Sequence, residues 1–355
     1  MKRTRGFHLL LPTPAEQSAG GHRFGAELAN ALRDGGHAVD LHVLPGRFPV
    51  PDDATTQAAT AWLAARPAGT VAVIDGLCVP AIAARPAADV AVIGLFHHAV
   101  PLHNDIDEAA RAALAPVRAA ALARLDGAIA TNAAAQARLI RDDAMSEARV
   151  VLVPPGLPVL ARTPARATMG AGQPCHVVAV GALVPRKRHD RLLRALARLF
   201  DLDWRLTVIG TPDRNPGCAA SLASLADGLG IAARVRFAGD ADETAREAIW
   251  RDADLFALAS AWEASGMAAA EALRRGVPPV IGAGGEAGAG VPPEAGVVLD
   301  AEDLDGLSKA LRRLIFSDDL RAAFAEAAWQ SGQALPGWTT QAAAFAAAAD
   351  ALAAL

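Results

Sequence analysis

Hydrophobic positions along this chain follow two periods. Short apolar runs recur at Phe7-His8-Leu9-Leu10-Leu11, Val71-Ala72-Val73-Ile74, Val90 to Phe96, Gly127-Ala128-Ile129-Ala130 and Val150-Val151-Leu152-Val153, each of a length that suits a buried parallel strand. His37 to Leu44 alternates as a further strand. Between these runs the apolar spacing becomes helical, which predicts helices over 22–33, 54–65, 108–125 and 133–141, a short one after the Val71 strand, and a kink or split at Pro116. Pro154-Pro155-Gly156 stops the series, and Arg162-Thr163-Pro164-Ala165 reads as a linker. A second series follows, with strands at His176 to Val180, Arg205 to Gly210, Val235 to Gly239, Leu255 to Leu258, Val280-Ile281 and Val297 to Leu299. Its helices are expected over 190–199, 219–229, 244–251, 266–275, 303–315, 320–330 and 339–355. Alternating strands and helices predict an α/β chain of two Rossmann-like, doubly wound domains facing across a cleft. The expected bounds are 1–163, 164–335, and a C-terminal helix over 336–355 that packs back toward the first domain.

One stretch concentrates chemistry. Trp262 to Pro278 reads as a strand end, a loop and a helix, with Ser265 as N-cap, Gly276 as the glycine after the helix and Pro278 forbidding continuation. Glu263 before this helix and Glu271 inside it can border one small volume at its N-terminus, where free backbone N–H groups and the helix dipole favour a phosphate. A nucleotide sugar would supply a diphosphate for the helix end and hydroxyls for the carboxylates. The competing reading pairs Glu271 with Arg275 at i,i+4, worth about 0.2–0.5 kcal/mol, and leaves Glu263 solvated.

Composition narrows the class. The chain has 355 residues, ample for two domains, and its 52% hydrophobic and 20% charged content is that of a globular protein. A net charge of −4 gives no basic footprint for nucleic acid. Lys2-Arg3-Thr4-Arg5 reads as a solvated terminus, with a membrane-surface role as the minor alternative. Cys78, Cys175 and Cys218 are widely spaced without a CxxC pattern, so neither a disulfide framework nor a zinc site is expected, and a reducing, cytoplasmic compartment fits. No run approaches the length of a membrane span, and the basic residues pass straight into a strand without a cleavable signal.

Two loops of the first half add candidates. Gly20-Gly21 closes the first strand-to-helix loop, which lacks G-x-G-x-x-G, so NAD is a poor fit; the pair either lets a ligand approach the backbone or serves only the turn. His97-His98 ends the strand that begins at Val90, where open α/β sheets bind ligands, and no third ligand at a convincing spacing supports a metal.

Taken together these residues resemble, over nearly the whole chain, the retaining glycosyltransferases of family four, with the B-type, two-Rossmann fold. The family's pair of glutamates separated by seven residues is matched by Glu263-Ala264-Ser265-Gly266-Met267-Ala268-Ala269-Ala270-Glu271. Its strand, Gly-Arg-Leu turn and lysine are matched by Gly181-Ala182-Leu183-Val184-Pro185-Arg186-Lys187. Gly20-Gly21, Gly35-Gly36-His37, His97-His98 and Pro154-Pro155-Gly156 are further matches. The resemblance implies a nucleotide diphosphate sugar as donor substrate, bound mainly by the second domain, with no separate cofactor and no metal. Lys187, helped by Arg186, would hold the diphosphate. The Gly266 and Met267 amides beside Ser265 would contact donor oxygens, and Gly20-Gly21 would lie against the donor. Glu263 would border the transferred sugar, Glu271 would accept bonds from the ribose, and the base would lie near Arg236-Phe237-Ala238. His97 or His98 would approach the sugar, so His97, His98, Lys187 and Glu263 are the expected catalytic group. The acceptor would be a glycan, a glycolipid or a small molecule, and a peripheral contact with the inner face of a membrane is compatible with the family.

Three departures stand out: Ala182 replaces a frequent diphosphate-binding arginine, Ala264 and Ser265 replace a glycine and an aromatic, and Arg188 replaces a common glycine. Asp240-Ala241-Asp242 follows a strand, but such pairs are usually solvated. The expected activity is sugar transfer with retention. The alternatives are a sugar-nucleotide epimerase on the same plan and a non-catalytic nucleotide-binding relative, the latter favoured by Ala182.

Overall fold

The computed structural model describes residues 5–13, 19–86, 89–97, 108–164 and 173–355. Two compact units emerge, Met1–Gly156 together with Gly337–Leu355, and Leu157–Pro336.

In the first unit β1 (Gly6–Pro12), β2 (Ala38–Leu44), β3 (Val71–Asp75), β4 (Ala91–Phe96), β5 (Gly127–Ala130) and β6 (Val150–Leu152) form one parallel sheet in the order β2-β1-β3-β4-β5-β6. Helices α1 (Ala19–Asp34), α2 (Asp53–Ala64), α3 (Glu108–Leu122) and α4 (Ala133–Arg141) alternate with the strands, and a short 3₁₀ turn, Val79–Ala81, stands where a helix was expected after β3. The last helix, α11 (Trp338–Leu352), also belongs to this unit.

The apolar runs are strands because both faces of the sheet are covered. Trp62 and Leu63 of α2, Leu122 of α3 and Leu139 of α4 fill one face; Phe24, Leu28 and Leu32 of α1 with Trp338, Phe345 and Leu352 of α11 fill the other. Pro116 lies inside α3 without ending it. Gly20 and Gly21 fall in the first turn of α1, not in the loop expected from their composition.

The second unit repeats the plan with β7 (Cys175–Val180), β8 (Trp204–Ile209), β9 (Val235–Gly239), β10 (Leu255–Leu258), β11 (Pro279–Gly282) and β12 (Val297–Leu299), all parallel, in the order β12-β11-β10-β7-β8-β9. Helices α5 (His189–Ala197), α6 (Pro216–Gly228) and α9 (Leu304–Phe316) cover one face. Helices α7 (Glu243–Arg251) and α8 (Met267–Arg275) cover the other, and α10 (Asp318–Ala334) packs on α8. Asp242 caps α7 by accepting the Ala245 N–H at 2.8 Å, which gives this aspartate of the Asp-x-Asp pair a structural task.

The division between the units falls at 156/157, seven residues before the expected 163/164. Leu157 N–H bonds to Pro336 O, Thr163 N–H to Arg275 O, and the Thr163 hydroxyl to Trp250 O, so the segment from Leu157 to Thr163 is tied into the second unit. Of the expected linker 162–165, Thr163 is thereby bonded into the second unit, and Ala165 lies outside the described residues.

Candidate active site

In the second sheet β7 connects outward to β8 on one side, while β10 lies on its other side, paired Leu255 to Val177 and Phe256 to Val178. Loops leaving adjacent strands in opposite directions open a crevice at their carboxyl ends, the usual ligand position in such sheets. The two loops there span 181–188 and 259–266.

The first loop is zipped to its neighbour by Gly181 N–H to Ile209 O (2.9 Å) and Leu183 N–H to Thr211 O (3.0 Å), then turns through a 3₁₀ segment, Pro185–Lys187. A side chain at Gly181 would place its Cβ 2.9 Å from Lys187 Cδ, so glycine there lets the lysine stem cross the backbone. His189 Nε2 lies 3.1 Å from Gly181 O; a carbonyl only accepts, so this nitrogen carries the proton. Burial holds the His189 pKa down at about 4, so the ring is neutral. Arg188, at φ 47° and ψ 38°, occupies the left-handed region, the conformation that the glycine common at this position supplies freely.

The second loop is fixed on both sides. Ala261 N–H donates to Arg186 O (2.9 Å), and Arg186 Nη1 donates to Trp262 O (2.7 Å). Glu263 N–H donates to Gly284 O (3.1 Å), and Glu286 N–H to Glu263 O (2.9 Å). The Glu263 carboxylate is thereby aimed at Lys187, whose Nζ lies 2.6 Å from Oε1; the buried Ser260 hydroxyl donates to the same oxygen at 2.5 Å, and Arg186 Nη1 stands 3.9 Å from Oε2. The Lys187 and Glu263 side chains are only 15% and 16% exposed. Burial pushes the Glu263 pKa up, but the charges of Lys187 and Arg186 and the bonds from Lys187 and Ser260 outweigh it, so the carboxyl stays below its ordinary value and ionised. Arg214, on the loop after β8, adds a third cation: burial first, then the like charge of Arg186, lowers its pKa.

Helix α8 begins one residue later than expected. Gly266, not Ser265, is the N-cap, at φ 58°, and no side chain caps this end. A Cβ at Gly266 would meet Glu286 O at 2.7 Å, so both conformation and space demand glycine. Glu271 lies just over one turn into α8 and is buried. Two arginines reach its carboxylate: Arg246 Nη2 donates to Glu271 Oε2 at 2.8 Å, and Arg275 Nη2 stands 3.5 Å from Oε1. The expected i,i+4 contact with Arg275 therefore exists, but a helix-to-helix bond from α7 is the shorter one.

The remaining candidates are placed as follows. Arg236 is exposed in the middle of edge strand β9, and Phe237 packs on the core, which accounts for its side chain without a ligand. His97 follows β4 directly. Its Nδ1 lies 3.4 Å from Thr131 Oγ1, its Nε2 3.6 Å from Asp75 Oδ2, its carbonyl accepts from Asn132 Nδ2 at 2.7 Å, and Phe24 meets its ring edge-on at 4.6 Å. Burial lowers its pKa to about 4 and keeps it neutral. His98 lies outside the described residues.

Ser260, Arg246 and Arg214 were not anticipated. Ser260 carried one signal, a small polar residue ending an apolar strand; the two arginines are distant in sequence and carried none.

A switch-point crevice whose lysine and glutamate meet is also where the chain matches known proteins. The family model described as "Glycosyl transferases group 1" matches residues 170–331. The second unit is thus similar, over most of its length, to the group 1 glycosyl transferases. Among curated relatives, the D-inositol 3-phosphate glycosyltransferase of Corynebacterium urealyticum is 33% identical over 202 residues, covering 52% of this chain and 47% of the relative. That of Mycobacterium sp. (strain KMS) is 40% identical over 145 residues, 39% of this chain and 32% of the relative. The chain thus spans about half the length of the curated relatives it matches, or less.

Whole-chain likeness comes from solved structures. Sucrose-phosphate synthase from Thermosynechococcus elongatus superposes with a TM-score of 0.79 at 20% identity, covering 97% of this chain and 98% of that one. HepE from Anabaena, solved in complex with UDP, gives 0.75 at 16% identity, with 99% and 100% covered. At these identities the likeness concerns fold, and it establishes the B-type, two-Rossmann architecture of the chain. No helix among the described residues is long and apolar enough to cross a membrane.

Proposed function

We propose that this chain transfers a sugar, with retention, from a nucleotide diphosphate sugar to an acceptor hydroxyl. The observation that carries the reading is the Lys187–Glu263 pair at the β7/β10 switch point, flanked by Arg186 and by a helix start that no side chain caps. The printed names of similar proteins agree: inositol phosphate glycosyltransferases among relatives, and UDP with glucose in a structure of HepE.

In this reading the second unit binds the donor and the first serves the acceptor. Lys187, Arg186 and the first amides of α8 face the diphosphate, and Arg186 with Arg214 supplies the positive charge that Ala182 does not. Preorganised charge of this kind stabilises a departing diphosphate without a metal. The bond between the anomeric carbon and the phosphate oxygen breaks with its electron pair going to phosphate. The acceptor oxygen bonds to the same face of that carbon, and its proton passes to the departing phosphate oxygen. Glu263 stays ionised beside Lys187, where it orients the lysine and accepts hydroxyls of the transferred sugar. Glu271 accepts the ribose hydroxyls. Neutral His97, at the end of β4, serves the acceptor side.

The test is turnover of a panel of nucleotide sugars with and without an acceptor pool of glycans, glycolipids and inositol phosphates. Transfer requires nucleoside diphosphate release that rises with one acceptor and disappears in Lys187→Ala. A rearranged sugar nucleotide formed from donor alone would assign an epimerase, and binding without turnover a non-catalytic relative.

A further inference from the structure

Four charged side chains alternate along the facing sides of α7 and α8: Arg246, Glu271, Arg275 and Glu247. Arg275, almost wholly buried, is committed to Glu247, with Nη1 donating to Oε2 at 2.8 Å and Nη2 making a second, short bond to Oε1, and its guanidinium lies 5.2 Å from the Trp250 ring centroid. Its contact with Glu271 is the long one, 3.5 Å.

Glu271, with 7% of its side chain exposed, needs a cation, because a buried unpaired carboxylate is costly. Arg246, 19% exposed, donates the 2.8 Å bond that decides where Oε2 points. A carboxylate has about four acceptor positions, more than the contacts from Arg246 and Arg275 use. Arg246 itself is held steady: Asp242 caps its helix, and Trp250 on the same helix stacks on Phe256 at 5.8 Å in the core.

We propose that Arg246 is a positioning residue, and that its bond to Glu271 sets the preference of this site for a ribose with free hydroxyls. The inference rests on the reading of Glu271 as the ribose acceptor. It assigns nucleotide-sugar selectivity to a residue on α7 that lies outside the paired-glutamate motif.

The experiment is calorimetric titration of the full chain with nucleoside diphosphates and their 2′,3′-dideoxy counterparts. It compares wild type, Arg246→Ala, Arg246→Lys and Glu271→Gln, with folding of each variant checked by its melting temperature. The wild type should prefer the ribonucleotide by about tenfold, the worth of one charge-assisted bond. Arg246→Ala should lose most of that preference by weakening only the ribonucleotide, Arg246→Lys should recover part of it, and Glu271→Gln should abolish it. Equal weakening of both nucleotides by Arg246→Ala, or by Arg246→Lys should the alanine variant not fold, would overturn the proposal. Equal wild-type binding of both would overturn it as well. If the wild type binds no nucleoside diphosphate, the donor-site reading itself fails, a different outcome from either.

Discussion

Removing Lys187 should expose the electrostatics on which the site depends. Glu263 is 16% exposed and Lys187 15%, so deleting the lysine strands a largely buried carboxylate. Breaking a buried pair from one side costs about 3–5 kcal/mol, but Ser260 still donates to Glu263 and Arg186 remains 3.9 Å away, so about 2–3 kcal/mol is expected for Lys187→Ala. For a unit of this size that is a fall in Tm of about 4–12 °C.

The pH dependence has a definite sign. In the wild type the Glu263 pKa is depressed, so the pair's contribution is present above the ordinary carboxyl range and is lost as pH falls through the folded-state value. In Lys187→Ala burial is less opposed, Glu263 protonates more readily, and the cost of the substitution shrinks between pH 7 and pH 4. Calorimetric melting of wild type, Lys187→Ala, Glu263→Ala and the double variant gives the coupling. A coupling energy near zero at pH 7, or a cost that does not change on acidification, would refute the reasoning.

Other consequences are more local. Arg188→Gly places glycine in a left-handed conformation that costs other residues about 1 kcal/mol, against the loss of partly exposed contacts to Asp190 and Glu302; stability should change by less than about 1 kcal/mol, whereas a loss above about 2 would contradict the backbone assignment. Gly266→Ala forces a Cβ against Glu286 O at a positive φ and should cost well over about 1 kcal/mol by denaturant melting, together with weakened nucleoside diphosphate binding; a neutral substitution would mean that the α8 start is misplaced. His97 and His189 are both held near pKa 4, so the unfolded chain takes up protons first as pH drops from about 6.5 and stability falls. His189→Gln should flatten that slope between pH 6.5 and 4, and an unchanged slope would show that His189 is not the buried neutral group.

The strands, the helices between them and the loops that carry Lys187 and Glu263 were legible because parallel strands covered on both faces become continuous apolar runs, and ligand loops must follow them. Helix α4 falls on its expected span, since its ends carry local signals: Asn132 caps it and Asp142 ends it. Where backbone conformation decides, the sequence misleads. Ser265 is the better N-cap by side chain, but the close approach of Glu286 O selects Gly266. The glycine pair at positions 20 and 21 reads as a turn, yet it belongs to α1. Thr163, within the expected linker 162–165, bonds to Arg275 and Trp250, residues far along the chain that no local signal ties to it. Arg246 was illegible for the same reason: its partner is 25 positions away, and no period or spacing links an arginine on one helix to a glutamate on the next.

The central claim, that the β7/β10 crevice holds a nucleotide diphosphate, is tested most directly by equilibrium titration of the full chain with UDP, GDP and ADP, repeated on Lys187→Ala and Glu271→Gln. Saturable binding of one of these nucleotides is predicted, weakened about tenfold or more in each variant, as expected when a charged hydrogen-bond partner is lost. No binding of any of the three to the wild type, or equal binding by wild type and both variants, would contradict it.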